Sequence, residues 1–221
     1  MKIILSVLAV ILYSGCVGAT ELDAAKWNSS ELDRLNSIAG LPKLAEALVN
    51  RLVPDADIDP AHVGEAMFID IDGDGQLELL ATLDNSGRAF FTSVITVRKS
   101  KGKYTYSEAF SNGISIQELS TRLVDLNHDG RKELLIKQYI DQYEGAMRAP
   151  VETVIFEWNG SKFVEASDKF PGYYRSVVIP KLQHDLKAAQ SSGSTRVQAD
   201  DYETFVVDAE LKRAKQRGKV K

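Results

Sequence analysis

Asp70-Ile71-Asp72-Gly73-Asp74-Gly75-Gln76-Leu77-Glu78-Leu79 and Asp125-Leu126-Asn127-His128-Asp129-Gly130-Arg131-Lys132-Glu133-Leu134 are two versions of one pattern, 55 residues apart. Each offers oxygen-bearing side chains at positions 1, 3 and 5, a glycine at 6 and a carboxylate at 9. A hard cation such as Ca²⁺ takes about six to eight oxygens, and a tight loop that presents every second side chain can aim several of them at one point. Gly75 and Gly130 stand where the chain must turn sharply, a conformation that is cheap without a Cβ. The predicted ligands are therefore Asp70, Asp72, Asp74, the main chain of Gln76, and Glu78 in loop one. In loop two they are Asp125, Asn127, Asp129, the main chain of Arg131, and Glu133. An EF-hand would carry its bidentate Glu at position 12, where this chain has Ala81 and Ile136.

Outside the loops the pattern changes to short apolar or alternating runs. Ala66-Met67-Phe68-Ile69 and Thr121-Arg122-Leu123-Val124 precede them, and Leu77 to Leu83 and Glu133 to Tyr139 follow. Bounded by Gly and Asp, such runs predict strands rather than helices. Strand, acidic loop, strand resembles the FG-GAP and VCBS-like repeats found in integrin α-subunit propeller blades and in exported bacterial proteins. The resemblance covers residues 66–166, and neither copy has the Phe-Gly opening or Gly-Ala-Pro close of the first group, which favours the bacterial VCBS-like one. It implies bound Ca²⁺ and four-stranded, propeller-like blades.

Counting strands fits that implication. In the first unit, Asp84 to Gly87 and Lys99 to Gly102 are turns around a third strand at about 88–98, with Lys103 to Ser107 as the fourth. In the second, Asp141 to Pro150 form a longer loop, Val151 to Trp158 a strand, Asn159-Gly160 a hairpin turn and Ser161 to Ala166 the close. The expected fold is mainly β with flanking helices, a partial or degenerate β-propeller of two blades. Two blades cannot close a ring. Their edges must be covered by helical lids or degenerate blades from the flanks, by stacking as a two-blade sandwich, or by a second copy, and the length outside the repeats favours the first.

The chain divides into residues 1–19, a helical segment 20–62, the repeats 63–166 and a C-terminal segment 167–221. Met1-Lys2 followed by the apolar Ile3 to Tyr13 has the form of a secretory signal, too short to span a bilayer. Val17-Gly18-Ala19 suits an ordinary signal peptidase, whereas Ser14-Gly15-Cys16 resembles a lipobox that would make Cys16 the lipidated terminus. The expected location is periplasmic, outer-membrane lipoprotein or secreted, with membrane attachment only through that lipid. Cys16 is the one cysteine, so no disulfide can brace the chain and metal ions are its remaining crosslinks.

In the helical segment, Ser30-Glu31-Leu32-Asp33 resembles a capping box, Gly40 is a stop, and Pro42 opens a helix with Leu44, Leu48 and Leu52 on one face. Asp55, Asp57 and Asp59 alternate, but Pro60 occupies the glycine position and a solvated turn is predicted. In the C-terminal segment Pro180 opens a helix to Gln190, Asp200 to Ala209 suits helix or strand, and the last ten residues hold six Lys or Arg, the composition of a frayed end.

A net charge of −4 argues against a nucleic-acid partner. No nucleophile elbow, phosphate loop, HExxH or Cys pair is present, and His62, His128 and His184 are scattered, so no catalytic residue is assigned. Tyr139, Tyr143, Tyr173, Tyr174 and Trp158 suit cross-strand packing, with an aromatic contact patch as the alternative. The expected function is a non-enzymatic, calcium-stabilised envelope protein that binds a protein or glycan. The alternatives are an inhibitor or immunity-type protein using the Asp141–Pro150 loop, and a hydrolase whose acids lie outside the loops.

Overall fold

A computed structural model describes residues 21–52, 62–85, 91–111, 116, 118–140, 149–191 and 197–219. The segment expected to be a leader, Cys16, the Asp55-Asp57-Asp59 run, Tyr143 and most of the Asp141–Pro150 loop lie outside them. Among these residues eight strands form two four-stranded antiparallel sheets, each in simple meander order. The first contains β1 (His62–Ile69), β2 (Glu78–Asn85), β3 (Phe91–Ser100) and β4 (Lys103–Ser111). The second contains β5 (Leu123–Val124), β6 (Glu133–Tyr139), β7 (Val151–Trp158) and β8 (Phe163–Glu165).

Strand alternation sorts the apolar residues into three cores. Leu80 and Val94 of the first sheet join Leu134, Ile136, Val154, Phe156 and Trp158 of the second in one buried cluster, so the sheets share a core. Leu79, Ala81, Ile95 and Val97 point the other way and pack under the N-terminal helices. Ile155, between Val154 and Phe156, likewise faces away and meets the C-terminal helices. Period-2 alternation with both faces apolar requires layers on both sides. The result is a stack of helices, sheet, sheet and helices. Helical lids and stacked sheets, two separate expectations, occur together. The fold is mixed rather than mainly β, and among the described residues the sheets close no barrel or ring.

The N-terminal layer consists of α1 (Leu32–Asn36) and α2 (Leu41–Leu52), whose Leu41, Ala45, Leu48 and Val49 are buried. Gly40 makes the left-handed turn between them, with φ 75°. Ser30 is not the expected helix cap. Its hydroxyl donates to Asn28 Oδ1 at 2.6 Å, inside a 3₁₀ turn at Ser29–Glu31. These helices also finish the outer edge of β1. Asn36 acts there like a strand residue, accepting from Phe68 N at 2.7 Å and donating to Phe68 O at 2.9 Å, while Glu46 accepts from Val63 N at 3.0 Å. Side chains that occupy an edge strand's free backbone groups prevent it from pairing with another chain.

The C-terminal layer departs further from expectation. Helix begins at Pro171, nine residues before Pro180, passes through a π turn at Tyr174–Val178 and continues as α3 (Ile179–Ser191). Proline inside a helix removes one hydrogen bond and crowds the carbonyl four residues back, and a wider π turn just before it relieves that crowding. The ambiguous Asp200–Ala209 stretch is helical, within α4 (Val197–Arg217). The basic end is not simply frayed: Arg213 Nε and Arg217 Nε reach Glu152 Oε2 at 2.9 and 3.1 Å, and Arg217 also meets Glu165 and Asp168. Tyr174 and Trp158 are buried, so packing accounts for these two aromatics.

A candidate cation site at paired acidic loops

Both acidic loops connect antiparallel strands, β1 to β2 and β5 to β6, and they share one internal wiring. The position-1 carboxylates accept from the position-6 amides, Gly75 N to Asp70 Oδ2 and Gly130 N to Asp125 Oδ2, both at 3.0 Å. The position-5 carboxylates accept from position 7, Gln76 N to Asp74 Oδ1 at 2.7 Å and Arg131 N to Asp129 Oδ1 at 2.9 Å. The position-9 acids reach back to position 2, Glu78 Oε2 to Ile71 N at 3.1 Å and Glu133 Oε2 to Leu126 N at 2.7 Å. Positions 4 and 6 have positive φ in both copies, at Gly73 and Gly75 and at His128 and Gly130. The likeness read from residue types is therefore a likeness of backbone conformation.

The loops differ in what their oxygens are left with. In loop one, Asp70, Asp72 and Glu78 each offer an oxygen within 4.8 Å of the others. Asp70 Oδ1, Asp72 Oδ1 and Glu78 Oε1 are buried and have no hydrogen-bond partner among the described residues. Glu78 is fully buried, and burial pushes its carboxyl up to about 7, helped by the Asp72 and Asp74 charges and opposed by the Ile71 amide and Arg98. Asp74 does not join the convergent set. It is exposed, and its Oδ2 lies 3.3 Å from an Arg98 nitrogen.

In loop two the side-chain oxygens at positions 1, 3 and 5 already have donors. Asp125 Oδ1 and Asn127 Oδ1 both accept from Asp129 N at 3.1 Å, and Asn127 Nδ2 donates to Asp129 Oδ2 at 3.0 Å. The backbone bond from Arg131 holds the Asp129 carboxyl below the usual range, whereas burial raises that of Glu133. Among the described residues no second group of three acids converges. Gln76 forms an isolated bridge with Asn28, and Arg131 is exposed.

Three partners of loop one lie outside its motif and were missed by sequence reasoning. Trp158 Nε1 donates to Asp72 Oδ2 at 3.1 Å from the second sheet. Arg98 Nε lies 3.0 Å from Glu78 Oε1, an ion pair without the alignment of a hydrogen bond. Lys132 N donates to Ile71 O at 3.0 Å, joining the backbone of loop two to that of loop one. Trp158 is 86 residues from Asp72 in the chain, beyond the reach of any local motif. The register could have indicated Arg98, because it pairs directly with Glu78 across β2 and β3.

No family model, curated protein or solved structure matches the chain. Among the described residues no helix is long and apolar enough to cross a membrane.

Proposed function

We propose that this protein is an exported, calcium-stabilised module of the FG-GAP/VCBS-like kind, in which loop one is the principal ion site and loop two a weaker one. The observation that carries the reading is the convergence of Asp70, Asp72 and Glu78, each of which also has a buried oxygen without a hydrogen bond, the Glu78 one meeting only the Arg98 guanidinium. Buried carboxylate oxygens without donors are costly, and three so close together repel one another. A divalent cation removes both penalties. The donor set is all oxygen, which suits Ca²⁺ or Mg²⁺ and not a thiolate- or imidazole-seeking metal. Asp70, Asp72 and Glu78 would hold the ion, with the Gln76 carbonyl as a further ligand and the Asp74 carboxylate joining only once it leaves Arg98.

Such an ion acts on structure. Loop one joins β1 to β2, bonds to the N-terminal segment through Ser29 N to Gly75 O and Leu77 N to Trp27 O, and touches the second sheet through Trp158. A cation at its centre therefore ties three parts of a disulfide-free protein together. The role we assign is non-enzymatic binding of a protein or glycan at the cell envelope, supported by the leader pattern and the lack of a catalytic motif. Calorimetric titration with Ca²⁺ and Mg²⁺ tests the ion, with a Kd of about 10⁻⁴ to 10⁻³ M expected for calcium. In a D70N/D72N double variant the tighter binding phase should disappear and only the weaker phase of loop two remain, and a tighter phase that persists would contradict the assigned site. Capture of a specific partner from envelope extract tests the binding role, and turnover of a glycan panel would replace it with a hydrolase.

A further inference from the structure

Arg98 and a bound cation would claim the same oxygen. Glu78 Oε2 accepts from Ile71 N at 3.1 Å, which leaves Oε1, buried and without a hydrogen bond, as the oxygen it can offer an ion beside Asp70 and Asp72. That same Oε1 lies 3.0 Å from Arg98 Nε. A second nitrogen of the guanidinium lies 3.3 Å from Asp74 Oδ2, so one fixed positive charge already spans positions 5 and 9 of the loop. The arrangement is built into the sheet, because Glu78 and Arg98 are direct cross-strand partners.

Arg98 also has somewhere else to bind. Its third nitrogen donates to Gly160 O at 2.6 Å, in the turn between β7 and β8, and its guanidinium lies over the Trp158 ring, 5.7 Å from the centroid. Among the described residues loop two has no equivalent. The charged neighbour of Glu133 from β7 is Glu157, an acid that raises its pKa further.

We propose that Arg98 is a built-in competitor for loop one: it neutralises Glu78 and Asp74 when no ion is bound, and a divalent cation must displace it from Glu78 to bind. This rests on loop one being the calcium site. The guanidinium cannot diffuse away, so it sets the threshold ion concentration at which the loop fills. On displacement it keeps its Gly160 and Trp158 contacts, which belong to the second sheet. Arg98 is thus a positioning residue for the loop's carboxylates, and its two effects have opposite signs. It stabilises the ion-free protein and weakens ion binding.

The test is calorimetry and melting of wild type, R98Q and R98K. The expected result for R98Q is a lower Tm in chelator with calcium affinity at loop one increased about tenfold, while loop two is unchanged. R98K, which retains the charge but not the three-way fork or the stacking on Trp158, falls between wild type and R98Q in calcium affinity, and an affinity tighter than that of R98Q overturns the proposal. Calcium affinity that is equal or weaker in R98Q overturns the proposal, because a merely structural arginine would lower Tm without tightening the site. NMR of the wild-type Arg98 Nε–H gives a readout independent of the variant's folding. A shift of its resonance that saturates with calcium at loop one supports displacement, and a resonance unmoved at calcium saturation contradicts it. If wild-type protein takes up no calcium at all, the calcium reading itself fails. Uptake without any change at Arg98 overturns this inference alone.

Discussion

The indole Nε1 of Trp158 donates to Asp72 Oδ2 across 3.1 Å, linking the end of β7 to the centre of the first acidic loop. Asp72 thus has one oxygen held by the opposite sheet and one buried without a partner. This links the ion site to the shared core, in which Trp158 packs edge-on to Phe163. Trp158 fluorescence should therefore report loop one. With Trp27, the only other tryptophan, replaced by Phe, calcium should shift Trp158 emission along a single saturable curve. W158F should lower stability by about 1–3 kcal/mol, because it leaves a partly buried carboxylate oxygen without its donor. Emission indifferent to calcium would show that the ion does not bind at Asp72.

The contrast between the loops predicts unequal mutational effects. Asp72→Ala removes one of three convergent oxygens, whereas Asn127→Ala removes a side chain whose oxygen already accepts from Asp129 N. In calcium, Asp72→Ala should lower Tm by several degrees more than Asn127→Ala does. Equal shifts would mean that the loops share the ion-binding work.

In chelator, Glu78 makes stability depend on pH. Its folded pKa is raised from 4.5 to about 7, so its contribution is fully present below about 4.5 and is lost as pH rises through 7. Burial raises Glu133 and Glu210 in the same direction. Asp23 acts oppositely: its bond to Arg51 holds its carboxyl down at about 2, so its contribution is lost as pH falls from about 4 through 2. Melting in chelator should therefore be highest near pH 5 and decline toward pH 8, by up to about 3 kcal/mol from Glu78. Saturating calcium should flatten the decline above pH 6. A chelated protein most stable at pH 8 would contradict the burial of an ionisable Glu78.

How much of this was legible follows from distance along the chain. The loop conformation could be read from ten consecutive residues because spacing, glycine positions and flanking alternation all act locally. The meander order followed from short turns, although Asn159-Gly160 opens a four-residue turn between Trp158 and Phe163 instead of a two-residue one. Stacking of the sheets was only one of three coverings the sequence left open, because alternation gives each strand two apolar faces without naming what covers them. The role of the basic end was not legible. Lys and Arg at a terminus have a solvated composition, and only the fold brings Glu152, Glu165 and Asp168 to Arg217.

That basic end should contribute to stability. The Arg217 side chain is 14% exposed and Glu152 10%, so the pair is largely withdrawn from water. Arg217→Ala should lower the unfolding free energy by about 1–3 kcal/mol, moderated by Arg213, which still reaches Glu152. Denaturant unfolding checks this, and a change below about 0.5 kcal/mol would restore the picture of a frayed, solvated tail.

The most direct test is thermal melting of the wild-type protein in calcium, in magnesium and in chelator. With a site of about 10⁻⁴ M, 10 mM calcium should stabilise by about 2.7 kcal/mol, a Tm rise of several degrees, and magnesium by less. In D70N/D72N the rise should shrink to the smaller contribution of loop two. A Tm identical in all three solutions would mean that the buried oxygens of Asp70, Asp72 and Glu78 do not hold a divalent ion, and the calcium account would fail.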